Sequence, residues 1–419
     1  MPASTAQPRQ ETAQCVIAGG GPAGVMLGYL LARAGVSVVV LEKHADFFRD
    51  FRGDTVHPST LQVMAELGLL ERFLQRPHQK LHHIEGNFGD QTLRIADLSG
   101  LPAGLQFVAF MPQWEFLDFL ADEGRKLPGF RLIMQARAER LIEDAGRVTG
   151  LVADVDGEAV EFRGDLVVGC DGRDSVIREV AGLPVRDLGA PIDVLWMRLS
   201  RRPTDPDAAL GRINYGRLLV TIDRGDYWQC AFVIRKGGFE TIRARGLDAL
   251  GADIAKVAPF LGDRVGELKD WDQVKLLTVQ VNRLERWWRP GLLCIGDAAH
   301  AMSPIGGIGI NLAVQDAVAA GNILAAPLSQ RRLADTDLAA VQARRDPPTR
   351  QTQAVQVFIQ DRVIGRLLGQ ERPVKPPLAV RLVGHTPFLQ RLMGRLVGMG
   401  AQPEHVDRAI AGAGVGSGP

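Results

Sequence analysis

Residues 16–42 place an apolar run, a glycine turn, a helix signal, a second apolar run and an acid in unbroken succession. Cys15-Val16-Ile17-Ala18 has the length and β-branching of a buried strand. In the turn that follows, Gly19 permits the tight bend, Gly21 lets backbone approach a pyrophosphate, and Gly24 lets the helix pack close on the strand. Pro22 and Ala23 open the helix, where the missing proline N–H costs nothing. The bare N–H groups and positive dipole end of that helix suit phosphate. Residues 36–41 are the second strand, and Glu42 ends it at the spacing of an acid that holds a ribose diol, with Lys43 next to it. The motif by itself leaves open whether the ligand is NAD or FAD.

A chain of 419 residues can bury a large core and predicts two domains. Its 49 basic and 48 acidic residues nearly cancel, so no field steers it toward nucleic acid. Cys15, Cys170, Cys230 and Cys294 are far apart and without CxxC spacing, which suits small buried hydrophobes in a reducing cytoplasm rather than disulfides or a metal site. Residues 1–12 are polar and read as a loose tail, not a signal peptide. No stretch reads as a transmembrane span, and the expected location is the cytoplasm.

Strand and helix signals alternate through the first 80 residues, as in a doubly wound parallel sheet. A helix is predicted over 60–70, stopped by Gly68, and another over 112–127. Residues 130–162 read as a three-stranded antiparallel excursion with turns at Asp144-Ala145-Gly146 and Asp156-Gly157. Residues 191–281 read as a second sheet with one helical insert over 239–257. A buried strand returns at 290–295, a helix follows over 308–324, and the remainder is helical and basic. The expected fold class is therefore α/β. A Rossmann-like domain spans 13–80, 105–185 and 290–340. A mixed β-sheet substrate domain spans 81–104 and 186–289, and a helical C-terminal region spans 341–419.

Two further motifs carry chemistry. Leu292-Leu293-Cys294-Ile295-Gly296-Asp297 is strand then turn, with Asp297 at the carboxyl end of a sheet strand, where open α/β sheets bind ligands. A carboxylate there can accept from a sugar or ribityl hydroxyl. The run from Pro304 through Gly306, Gly307, Gly309 and Ile310 to Asn311 lets a planar ligand lie on backbone without Cβ clashes. Its helix start aims a positive dipole end at that ligand. Cys170-Asp171-Gly172 is a strand exit before a helix, with Asp174 or Ser175 as its cap.

Taken together, these motifs resemble the class A FAD-dependent aromatic hydroxylases, the para-hydroxybenzoate hydroxylase family, over roughly residues 15–324. The resemblance implies bound FAD, with the first motif on its pyrophosphate and adenosine ribose, Asp171 near FAD and the nicotinamide cofactor, and Asp297 on the ribityl chain. Arg52 matches the family arginine near the pyrophosphate and the NADPH path, and Gln113 the glutamine that reaches the ribityl or phosphate region. Pro304, Gly306 and Gly307 would line the flavin face. It implies a monooxygenase in which NADPH or NADH reduces FAD, O₂ forms a flavin C4a-hydroperoxide, and one oxygen atom enters an aromatic ring.

The expected substrate is a small aromatic molecule, polycyclic or otherwise apolar. Trp196, Met197, Arg198, Tyr215, Tyr227, Trp228 and Gln229 are its candidate contacts, against the commoner role of strand aromatics as core. His57 and Asp54 stand as candidates for the flavin edge, while His57-Pro58-Ser59 reads equally as a helix entry capped by Ser59. Residues 378–400 mix apolar and basic side chains, and packing on the chain's own domain is favoured over a membrane surface. The chain lacks a halogenase's loop lysine and tryptophan repeat. A reductase or Baeyer–Villiger oxygenase of the same fold stays open, as does monomer versus homodimer.

Overall fold

The structure, a computed structural model, describes residues 9–48, 55–206, 211–369 and 371–412. Cys15–Ala18 and Val38–Leu41 are fully buried strands, as expected of segments covered on both faces. They sit inside a six-stranded sheet in the order Trp288–Arg289, Leu292–Cys294, Leu166–Gly169, Cys15–Ala18, Val38–Leu41, Phe130–Ile133. All its pairings are parallel except the first.

Two helices lie against this sheet with their N-terminal ends together. A Cβ on Gly296 would stand 3.1 Å from Ala23 and 3.5 Å from Ala313, near the starts of Pro22–Arg33 and Gly309–Ser329. One on Gly321 would stand 3.2 Å from Leu30, so the helices stay close further along. The stretch ending in the second helix, Ile305–Ser329, is long and apolar enough to cross a bilayer, but 78% of its most apolar window is buried, as in a core helix.

Several expectations need correction. Phe130–Ile133 joins the parallel sheet, and the antiparallel excursion is Ala136–Asp144, Arg147–Val155 and Glu158–Arg163. Its turns use φ of 47° and 80° at Ala145-Gly146, and of 54° and 88° at Asp156-Gly157. Arg9–Thr12, read as tail, is a strand paired in parallel with Glu158–Arg163. The single helix of the insert is two, Phe239–Arg245 and Leu247–Val257, because Gly246 takes φ 89° between them. The helix Pro58–Glu66 has His57 at its N-cap position with no side-chain cap, and Ser59 lies inside it.

A seven-stranded sheet joins distant sequence: Lys275–Leu277, Ile192–Ser200, Tyr227–Arg235, Arg217–Asp223, Gly211–Asn214, His83–Phe88 and Gln91–Asp97. The helix Asp335–Phe358 runs unbroken across position 340, so the C-terminal helices grow out of the nucleotide-type domain rather than starting after it.

Candidate functional site

The glycine turn owes its sequence to its neighbours. Gly19 has φ 107°, and a Cβ there would collide with the Cys170 carbonyl oxygen. A Cβ on Gly24 would collide with the Gly19 carbonyl. Gly21 differs: apart from its chain neighbours, none of the described residues lies within 4 Å of its Cβ position, so among them that side is open to a ligand. Gly21 is the N-cap of the helix, and no side chain caps it. Pro22 fills the first helical position, and Ala23 is buried against Gly296.

Three carboxylates surround this turn, and their partners separate them. Glu42 accepts from the Gly20 N–H at 3.0 Å and the His44 N–H at 3.1 Å, which ties the second strand to the turn. Lys43 beside it is exposed. Asp171 accepts from Ser175 Oγ at 2.5 Å and the Ile177 N–H at 3.0 Å, so its carboxylate serves the start of the short helix Val176–Val180. Burial pushes its pKa up. Asp297 is half-buried, and among the described residues nothing donates to its carboxylate. Gln113, first residue of the helix Gln113–Arg125, likewise has no side-chain partner among them. Arg52 lies outside the described residues, as do Gly53 and Asp54.

Pro304 to Gly309 form a partly exposed loop, in which Gly306 and Gly307 take φ of 81° and 63°. A Cβ on Gly307 would collide with Thr55 Oγ1, which donates to the Gly307 carbonyl at 2.6 Å. The loop delivers Gly309, Ile310 and Asn311 as a helix start with unpaired N–H groups. The Asn311 side chain clamps rather than reaches outward. Its Oδ1 accepts from the His57 N–H at 2.8 Å and Thr60 Oγ1 at 2.7 Å, and its Nδ2 donates to the Thr55 carbonyl at 3.2 Å.

His57 is buried, with Nδ1 2.8 Å from the Val397 carbonyl. Burial holds its pKa below 6.5 despite that contact. His57 therefore joins the helix start at Asn311, through its backbone N–H, to the C-terminal helix Pro387–Met399, through its ring.

A buried charge network beneath the site escaped the sequence reading. Asp316 accepts from the Gly296 N–H at 3.1 Å, from His300 Nε2 at 2.5 Å and from Arg345 Nε at 2.9 Å. Arg345 continues to Glu404 at 3.1 Å, and neither side chain of that pair meets solvent. Burial alone would raise the Asp316 carboxyl, but His300 and Arg345 outweigh it and hold its pKa below 3.8. The signal was legible: Asp316 is the one charged residue between positions 305 and 329, and a lone carboxylate in an apolar helix demands a buried partner.

The seven-stranded sheet divides the candidate substrate contacts. Met197 and Trp228 face the helix Leu247–Val257 and are core, with Trp228 Nε1 2.8 Å from Asp205. Trp196, Arg198, Tyr227 and Gln229 alternate to the opposite face. There Trp196, Ile213, Val220 and Leu277 pack in the same apolar cluster as Ile305 of the glycine loop. Tyr215 sits in a turn at φ 48°, under Lys256.

The residues fit FAD: an open Cβ position at Gly21, an Asp297 carboxylate with no donor among the described residues, and two helix starts side by side. Residues 12–354 match the FAD binding domain family. The chain is 33% identical over 387 residues to a 6-methylpretetramide 4-monooxygenase of Streptomyces rimosus, covering 91% of each chain. It is 27% identical to a dialkyldecalin synthase of Streptomyces rugosporus, over 74% of this chain and 65% of that one, so it spans under two thirds of that relative. The crystallised OxyS anhydrotetracycline hydroxylase of Streptomyces rimosus superposes with a TM-score of 0.73 at 25% identity, covering 93% of this chain and 76% of that one.

Proposed function

The chain belongs to the class A FAD-dependent aromatic hydroxylases and is a flavin-dependent monooxygenase; from that premise we propose that it uses NADPH or NADH and O₂ to hydroxylate an apolar, polycyclic aromatic compound. Bound FAD supplies electron transfer from the nicotinamide and activation of oxygen. The chain's own residues bind, orient and shield. The Gly19–Gly24 turn and the N–H groups of the helix start at Pro22 take the pyrophosphate. Glu42, at the end of the second strand and tied to the turn through the Gly20 N–H, takes the ribose diol. Asp297 and Gln113 accept from and donate to the ribityl and phosphate region.

The helix start at Gly309 to Asn311 would favour negative charge on a bound flavin. Pro304, Gly306 and Gly307 present backbone to the ring, so planar substrate can approach without side-chain obstruction. The apolar face with Trp196, Val220 and Leu277 takes the substrate. Relatives named for 6-methylpretetramide and anhydrotetracycline support a fused-ring substrate.

The observation that carries this reading is Asp297, a carboxylate without a donor among the described residues, next to the Gly296 that lies against the starts of both helices. The test is turnover of fused aromatic polyketides under ¹⁸O₂ with NADPH and NADH in parallel. Substrate-stimulated nicotinamide oxidation with one ¹⁸O in the product supports it. Turnover without label favours another flavin reaction of this fold, and stimulation only by simple benzoates removes the polycyclic substrate.

A further inference from the structure

Two helices near the C-terminus turn their large apolar residues outward and their glycines inward. In Pro387–Met399, Phe388 is 73% exposed, Leu392 52% and Leu396 44%, while Gly394 and Gly398 are buried. A Cβ on Gly394 would collide with the Asp97 carbonyl, and one on Gly398 would stand 3.1 Å from Pro58. Leu378–Gly384 repeats the pattern: Leu378 is 81% exposed and Leu382 62%, and a Cβ on Gly384 would stand 2.9 Å from Leu93. Helices that only covered their own domain would carry the leucines inside. These use glycine to lie flat on the strand Gln91–Asp97 and keep a continuous apolar row in solvent.

The charge beside that row has one sign. Residues 372–403 contain Arg372, Lys375, Arg381, Arg391 and Arg395 and no Asp or Glu, in a chain whose net charge is +1. Arg381, Arg391 and Arg395 are exposed within the apolar rows. Asp97 on the neighbouring strand faces Arg391, whereas Arg381 and Arg395 make no ion pair among the described residues. Residues 374–400 also lack Asn, Ser, Tyr and Trp. A specific protein interface is ordinarily anchored by aromatic and hydrogen-bonding groups. A second copy of this face would set arginine against arginine across a two-fold axis.

We propose that the outward face of Leu378–Gly384 and Pro387–Met399 docks on an anionic lipid surface, leucines and Phe388 among the acyl chains and arginines at the phosphates. The chemistry is that of an interfacial amphipathic helix. The inner side of the same helix reaches the site, since the Val397 carbonyl holds His57. Docking would thus set the glycine loop close to a phase in which an apolar substrate dissolves. The docking itself does not depend on which substrate is hydroxylated.

The test is co-sedimentation of the flavin-loaded full chain with sucrose-loaded vesicles. Mixed phosphatidylglycerol–phosphatidylcholine vesicles should pellet it at low salt, and phosphatidylcholine alone or high salt should release it. Each arginine removed should weaken partition about fivefold, so the double variant Arg391→Gln/Arg395→Gln should lose about twenty-five-fold. Phe388→Ser/Leu392→Ser should also lose binding, with flavin absorbance kept in both variants as the check of folding. A wild-type chain that stays in the supernatant with anionic vesicles overturns the proposal. So does a homodimer in solution that Leu392→Ser dissociates, or retention by an acidic protein without vesicle binding.

Discussion

The ligand side of the glycine turns and the charged layer beneath them use the same residue types to opposite ends. On the upper side Asp297 has no donor among the described residues and Gly21 has open space. One turn below, Asp316 has three donors and no solvent, and Arg345 and Glu404 complete its network. An unsatisfied carboxylate beside helix starts is a place for a ligand, and a satisfied buried one is structure. The two meet at Gly296, whose N–H is held by Asp316 while no described residue donates to its neighbour Asp297.

That contrast predicts that breaking the lower layer costs folding. Asp316→Ala takes from buried Arg345 one of its two carboxylate partners and from His300 and the Gly296 N–H their acceptor, and should destabilise the chain by about 3–5 kcal/mol in urea unfolding. A loss below about 1 kcal/mol would show that the layer carries little. Gly19→Ala comes next, because it combines positive φ with collision against Cys170. It should abolish stoichiometric flavin binding, measured by absorbance after gel filtration, and lower stability by about 1–3 kcal/mol.

Asp297→Ala should do the reverse of Asp316→Ala. Stability should change by less than about 0.5 kcal/mol, while FAD affinity falls about tenfold to a hundredfold by equilibrium fluorescence quenching, the value of a hydrogen bond to a charged group.

The smallest effect is a pH slope at the junction of the layers. The His57 pKa is depressed below 6.5 in the folded chain, so its contribution is complete above pH 6.5 and is lost as pH falls through the folded value. Unfolding free energies measured across that window should decline more steeply for the wild type than for His57→Gln. Asp316, depressed below 3.8, contributes stability that is complete above pH 3.8 and is lost as pH falls through its folded value.

The positions that sequence made legible are those where backbone conformation dictates residue type. Gly19, Gly24 and Gly296 stand where a Cβ meets Cys170, the Gly19 carbonyl or Ala23, and local spacing records that demand. What stayed hidden depends on partners far along the chain. Asn311 looks like a helix start near a ligand, but its amide closes on His57 and Thr60, some 250 positions away. Arg9–Thr12 has no strand pattern of its own and becomes one by pairing with Glu158–Arg163. Gly394 and Gly398 read as helix weakeners until the Asp97 carbonyl and Pro58 lie against them. The sheet that carries Trp196 follows the alternation of buried strands, yet which face meets the glycine loop is fixed only by its packing on Ile305.

The most direct test of the central claim is the flavin content of the purified chain beside two single variants. The account predicts a yellow wild type with one FAD per chain, an Asp297→Ala protein of equal stability that loses most of its FAD on dialysis, and an Asp335→Ala surface control that keeps it. A colourless wild type, or equal FAD retention in both variants, would contradict it.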